Sequence, residues 1–306
     1  MTDLLILAIG IVVIVTGAEV FFDGLLGVSA RLRTAPFVVT ALISGFELEN
    51  LAAGIAANAK GLPGAAAGTF LGGTTFLALG ITGLAAVIRP LEANLPWKPL
   101  AAAASSPLAL LVLSLDGSLS RIDGCILVAW FIVVMLVVAR TGRGIVGNEA
   151  GDNDGAKSHP VLRLLGGLVA LSIGGEVLGE GIRATVSRFG VSQTLLGNTV
   201  IAASVEAEEI ARVAVPAKRG RSDVALGNII GTVAHFIAFN AGVIALVRPL
   251  ELDDASLHLH LPVAVASVPL VCGLLIVRNR LSRGEGIALL AAYATYVAIA
   301  IVNAVR

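Results

Sequence analysis

Residues 37–92 and 196–251 of this 306-residue chain align without a gap at an offset of 159. Thr40 answers to Thr199, Glu47 to Glu206, Glu49 to Glu208, Gly61 to Gly220, Gly68 to Gly227 and Gly72 to Gly231. Both copies close on Arg-Pro-Leu-Glu, at Arg89–Glu92 and at Arg248–Glu251. Each copy also sets a cluster of carboxylates inside an otherwise apolar run. A charge in hydrocarbon is expensive and marks a functional position by default. A duplicated acidic helix therefore predicts one ion site built from two related halves.

The surroundings of those acids are membrane-like. The chain is 57% hydrophobic and 14% charged, with mean hydropathy +0.93; a soluble domain carries about 25% charged residues. The apolar runs are long enough to cross ~30 Å of hydrocarbon. They lack the alternating pattern of a membrane barrel. A net charge of zero, with no basic patch interleaved with aromatics, points away from nucleic acid. Cys125 and Cys272 each sit alone in an apolar run and read as small hydrophobes. The opening Met1-Thr2-Asp3 has no basic region of a cleaved signal, so the first apolar run is kept as a span.

The runs predict ten transmembrane helices, at roughly 3–22, 36–58, 64–88, 99–115, 122–140, 161–181, 194–216, 223–247, 261–277 and 284–304. The polar stretch Thr141–Pro160 is a linker between a first repeat, 1–140, and a second, 161–306. Its Asp152-Asn153-Asp154-Gly155 lacks the spacing and closing Glu of a calcium loop. The leading spans match too: Glu19 and Asp23 mirror Glu176 and Glu180. Five is an odd number of spans, so the two halves enter from opposite sides. The expected fold is an all-α, polytopic membrane protein of two inverted five-helix repeats. Fourteen basic residues fall on one side and six on the other, with Arg212 left inside a span. The richer side is expected to be cytoplasmic, with both termini outside and the chain in the plasma (inner) membrane.

Glu47 and Asn50 share a helix face, as do Glu206 and Glu209. Together these four side chains supply the oxygen ligands that a hard cation such as calcium prefers, and Glu47, Glu206 and Glu209 are the metal-ligating carboxylates. Glu49 and Glu208 point elsewhere. Arg212, four residues after Glu208 and three after Glu209, pairs with the first or competes with a cation for the second. Gly68–Thr75 and Gly227–His235 are rich in small and polar residues, which either free carbonyls or allow close helix contact. His235 is a candidate proton partner. Asp253, Asp254, His258 and His260 read as a solvated loop with a weak metal patch as the alternative. There is no nucleophile with its base, no phosphate loop and no zinc spacing, so the chain does not read as an enzyme.

These motifs resemble those of the cation/calcium exchanger superfamily, which includes sodium/calcium and calcium/proton exchangers. That family has two inverted repeats, each with a Gly-Thr-Ser-x-Pro-Glu motif followed by Gly-Asn-x-x-Gly-Ser-Asn. Ser204–Glu209 matches the first motif and Gly227–Thr232 the second; Gly45–Asn50 and Gly68–Thr74 hold the equivalent places in the first half. The resemblance implies cation binding by Glu47, Asn50, Glu206, Glu209 and Thr232. There are departures. The family's acid is Asn50 in the first half, its proline is Glu49 and Glu208, and a usual polar ligand is Leu77 and Phe236. Arg212 stands at a normally small or hydroxyl position.

The implied activity is secondary antiport of a divalent cation, calcium first, outward against sodium or protons. Crowded carboxylates in low dielectric hold a proton readily, which keeps proton coupling open. No covalent cofactor is expected, and the partners are the lipid bilayer and small inorganic cations, with no obligatory protein partner. The alternatives are a proton-coupled carrier of another ion and a non-transporting sensor or scaffold on the same fold.

Overall fold

The offset of the sequence repeat recurs in the backbone. The computed structural model describes residues 2–43, 45, 48–92, 95–142, 159–187 and 207–305. The first half runs α1 (Thr2–Leu32), α2 (Pro36–Ile43), α3 (Leu48–Ala59), α4 (Pro63–Thr75), a π segment (Phe76–Ile81), α5 (Thr82–Ile88), β1 (Leu91–Glu92), α6 (Trp97–Leu113), β2 (Ser118–Leu119) and α7 (Arg121–Gly142). The second runs α8 (Pro160–Ser187), α9 (207–218), α10 (Ser222–Ala234), a π segment (His235–Asn240), α11 (Ala241–Val247), β3 (Leu250–Glu251), a π segment (Ser256–His260), α12 (Leu261–Arg278), β4 (Arg280–Leu281) and α13 (Arg283–Val305). From α4 to β1 and from α10 to β3, every boundary is displaced by the same 159 residues.

The duplicated landmarks have physical jobs. Gly61 and Gly220 have φ of +73° and +77° and end α3 and α9 in matching left-handed caps. In each cap the next N–H reaches back five residues, Leu62 to Ala57 at 3.0 Å and Arg221 to Pro216 at 2.9 Å. The π segments replace the helix breaks that the glycines suggested. α4 and α10 run on through an i→i+5 widening, and in the first of them the Thr82 hydroxyl donates to the Leu77 carbonyl at 2.8 Å.

Among the described residues, seven helical stretches are long and apolar enough to cross a membrane, and Trp97–Leu113 is a shorter apolar helix. The inner ones are Pro63–Ile88 and Ser222–Val247; every residue of α10 except Asp223 is buried. The outer ones, α1, α7, α8 and α13, turn residues such as Val12, Ile122, Leu162 and Ile301 outward. So much exposed hydrocarbon needs an apolar solvent.

Three expected boundaries are corrected. α1 does not stop at residue 22 but runs to Leu32, and α8 runs to Ser187. The acids in α1 do not end the helix because basic side chains meet them laterally: Arg219 reaches Glu19 at 3.3 Å and Asp23 at 3.2 Å, and Arg163 reaches Asp23 at 3.7 Å. The helix ends instead at Arg33, at φ +48°, two residues before Ala35, which Pro36 biases away from helix. Third, the run read as one span at 36–58 is divided: α2 stops at Ile43 and α3 starts at Leu48, with Gly45 in a turn between them. The equivalent run in the second half is described from residue 207 onward.

α1 and α8 pack antiparallel along glycines spaced by seven residues, two helical turns. Gly10, Gly17 and Gly24 face Leu178, Leu171 and Leu164; Gly167, Gly174 and Gly181 face Phe21, Ile14 and Leu7. A Cβ on Gly24 would sit 2.3 Å from the Leu164 nitrogen, so only glycine permits this approach.

The Arg-Pro-Leu-Glu repeats are clasps between halves. β1 pairs with β4, and β3 pairs with β2, each an antiparallel bridge two residues long. Arg89 donates to the Lys218 carbonyl at 3.5 Å, and Arg248 donates to the Ala59 carbonyl at 3.0 Å, the equivalent position. Arg248 also donates to the Asn58 carbonyl at 3.0 Å, while Asn58 returns its amide to the Arg248 carbonyl at 2.7 Å. Replacing Asn58, 5% exposed, by Ala leaves that carbonyl unpaired. Asn58→Ala is expected to destabilise the fold by about 1–3 kcal/mol, read as a lower melting temperature in detergent, with Asn58→Asp recovering less than wild type because it offers no donor.

Candidate functional site

α9 leaves its acids facing α10, because the cap at Gly220 turns the chain back at once into that helix. Glu209 is 2% exposed. A lone carboxylate so placed would be strongly disfavoured, and donors surround this one. The Asn228 amide donates to Oε2 at 2.6 Å and the Thr232 hydroxyl to Oε1 at 3.3 Å. Asn228 and Thr232 are one helical turn apart, so α10 presents both on one face. The Asn228 contact is the short, charge-assisted one and fixes the carboxylate.

Arg212 approaches from the same helix. Its Nη1 lies 3.4 Å from Glu209 Oε1 and its Nη2 lies 3.7 Å from Glu208 Oε2. The sequence offered two choices, pairing with Glu208 or reaching Glu209; the guanidinium bridges both. Glu208 and Arg212 are each 5% exposed.

The first half enters through its backbone and its acidic motif. Gly231 and Gly227 carry α2 against α10: a Cβ there would lie 2.3 Å from the Ala41 carbonyl oxygen and 2.6 Å from that of Phe37. These glycines thus serve close helix contact. Gly45, in the gap between α2 and α3, lies against the His235 ring. Glu49 is exposed and Asn50 half-buried in the first turn of α3. Glu49 lies within electrostatic range of Glu208, although sequence had pointed both residues elsewhere. Glu47 and Glu206 lie outside the described residues. Of the three carboxylates proposed as metal ligands, Glu209 alone is described.

His235 is wholly buried and within electrostatic reach of Glu209. Its Nδ1 meets the Gly231 carbonyl at 2.8 Å; a carbonyl only accepts, so Nδ1 carries the hydrogen. Phe131 packs edge-on with ring centroids 4.6 Å apart. Leu77 and Phe236 stand in apolar clusters, and the Phe236 ring fills the space over Gly73, where a Cβ would come within 2.6 Å.

The outer acids and histidines divide into separate contacts. Asp254 pairs with His258 at 2.9 Å, Asp253 accepts the Ser256 N–H at 3.0 Å, and His260 Nδ1 meets the Tyr296 hydroxyl at 2.7 Å. The segment is a π turn entering α12 rather than a loose loop, and among the described residues no three His, Cys, Asp or Glu side chains form a metal cluster. Sequence reasoning passed over Asn228 as a site residue, although it is the second residue of a quoted motif. It also passed over Gly45, whose role depends on a ring 190 residues away.

The Gly45 contact has a direct test. A methyl group there would lie 1.9 Å from His235 Nδ1. Gly45→Ala is expected to destabilise by about 1–3 kcal/mol through overpacking, and His235→Ala in the same chain should recover part of the lost melting temperature. A double variant no more stable than Gly45→Ala alone would count against the contact.

Comparison with known proteins follows the same lines. Inner membrane protein YrbG of Escherichia coli is 25% identical over 93% of this chain and 92% of its own length. Sodium/calcium exchanger MaX1 of Methanosarcina acetivorans is 24% identical over 48% of this chain and 42% of its own length. A solved structure of the sodium-calcium exchanger NCX_Mj superposes with a TM-score of 0.85 at 22% identity, covering 97% of this chain and 98% of the other. That likeness establishes a shared fold. The family model described as sodium/calcium exchanger protein matches residues 2–140 and 159–302. By that match, this multi-pass membrane chain belongs to the sodium/calcium exchanger family, whose members are cation antiporters and not enzymes.

Proposed function

We propose that the chain exports calcium, or another divalent cation, in exchange for sodium or protons, through one site shared by two inverted five-helix repeats. The observation that carries this reading is Glu209, a buried carboxylate held by Asn228 and Thr232 at the positions of the family's second motif. Glu47, Asn50 and Glu206 complete the ligand set, and Glu49, Glu208, Arg212 and His235 adjust its charge. Flux of calcium into proteoliposomes under imposed sodium and proton gradients tests the activity. Glu209→Gln keeps the shape and removes the charge; exchange is expected to fall to background while the protein stays folded. Calcium flux unchanged in that variant would remove Glu209 from the site.

Proton rather than sodium coupling is the second reading. It is favoured by Leu77 and Phe236, buried apolar side chains where the family usually has a polar ligand. A flux that follows an imposed pH gradient and ignores sodium selects it.

The orientation belongs to the same proposal. Ten spans would put both termini outside and the linker near Asp152 in the cytoplasm, on the side that receives the fourteen basic residues. The ends of the bundle support the grouping: Arg89 meets Lys218 and β1 meets β4 at one end, Arg248 meets Ala59 and β3 meets β2 at the other. A cysteine at position 152 should resist an impermeant reagent added to intact cells. Its labelling from outside would reverse the orientation.

A further inference from the structure

The guanidinium of Arg212 sits where a transported cation has to bind. Its Nη1 faces Glu209 Oε1 at 3.4 Å, and that same oxygen already accepts from Thr232 at 3.3 Å while Oε2 accepts from Asn228 at 2.6 Å. Both oxygens are engaged by donors, and one of those donors carries a full positive charge. Taking the cation-antiporter reading of Glu209 above as its basis, we propose that Arg212 is a tethered competitor, which a cation displaces from Glu209 onto Glu208 when it binds.

The geometry suits a group that moves. Charge-assisted hydrogen bonds run to about 2.7–2.9 Å, and the Arg212 contacts with Glu209 and Glu208 are longer, at 3.4 and 3.7 Å. Spacings of three and four residues on one helix give it two stations reachable by side-chain rotation. Arginine does not lose its proton, so it vacates Glu209 by moving and not by neutralisation. The other charged and titratable groups around it bias the choice. Glu49 adds negative charge beside Glu208, the station away from the cation, and His235 lies near Glu209.

This arrangement sets the class of cation. Sodium bears the same charge as the guanidinium and must arrive by diffusion, whereas the guanidinium is already tethered beside Glu209. A divalent ion brings twice the charge to ligand distances of about 2.4 Å, closer than any guanidinium nitrogen here. The unloaded site thus prefers a divalent ion to sodium, which favours the proton-coupled form of the reading above.

The test is cation binding to the purified full-length protein, with calcium and sodium chloride as probes and thermal protection as the readout, at alkaline pH so that protons do not take the vacated place. Wild type should be protected by calcium and weakly by sodium. Arg212→Gln, which keeps length and hydrogen bonding without charge, should tighten sodium by roughly 10- to 100-fold, and Arg212→Lys should behave as wild type. Glu208→Gln removes the second station. It should weaken calcium protection when Arg212 is present and have no effect in the Arg212→Gln background. Equal effects of Glu208→Gln in both backgrounds, or Glu209-dependent binding that Arg212→Gln leaves unchanged, would overturn the competitor while leaving Glu209 as ligand. Calcium protection that survives Glu209→Gln would instead reject the site itself, and this inference with it.

Discussion

A buried carboxylate inside a helix bundle sets the terms for its neighbourhood. Glu209 is tolerated because α10 brings an amide and a hydroxyl to it and α9 brings a guanidinium. For α10 to stand there, the chain must reverse sharply after α9, which is the work of the left-handed Gly220. For the site to be buried, α2 must close against α10, and that closure depends on backbone-to-backbone contact at Gly227 and Gly231. Charge at one position therefore dictates small residues at several others.

The same economy joins the halves. Each half ends its central helix in a short strand that pairs with the last hairpin of the other, and each contributes an arginine to the other's left-handed turn. The contacts are exchanged in pairs, as expected when one interface solution is used twice. The long helices α1 and α8 are held apart from this core arrangement by their own glycine-lined seam. Lipid offers no hydrophobic drive for two apolar helices to associate, so close packing has to supply it.

Against that regularity, the hydrogen-bonding partners described for Glu209 all come from the second half. Arg212 corresponds to Ala53, His235 to Phe76, Thr232 to Gly73 and Glu209 to Asn50. The second half carries the charged and hydrogen-bonding groups seen around Glu209. The first half supplies surfaces that fit them: Gly45 against the His235 ring, Ala41 against Gly231, and Glu49 within electrostatic range of Glu208. A duplicated scaffold gives two copies of the backbone, and substitution in one copy then makes a site with unlike walls.

The sequence by itself determined the membrane class, the extent of the duplication and the family, because hydrophobic run length, an unbroken offset and short motifs are properties of neighbouring residues. It also fixed that Glu208, Glu209 and Arg212 share a helix, since spacings of three and four residues place side chains together. It did not reveal that the second span divides around Gly45, that α1 runs on past Glu19 and Asp23, or that the glycines of α10 serve close packing with the helix widened to π beyond them. Those outcomes were decided by partners far along the chain: Arg163 and Arg219 for the acids of α1, Ala41 and Phe37 for the glycines, His235 for Gly45. The place of Arg212 between two carboxylates was likewise a tertiary result. Spacing allowed either pairing, and the groups that α10 and α3 set around α9 left the guanidinium shared.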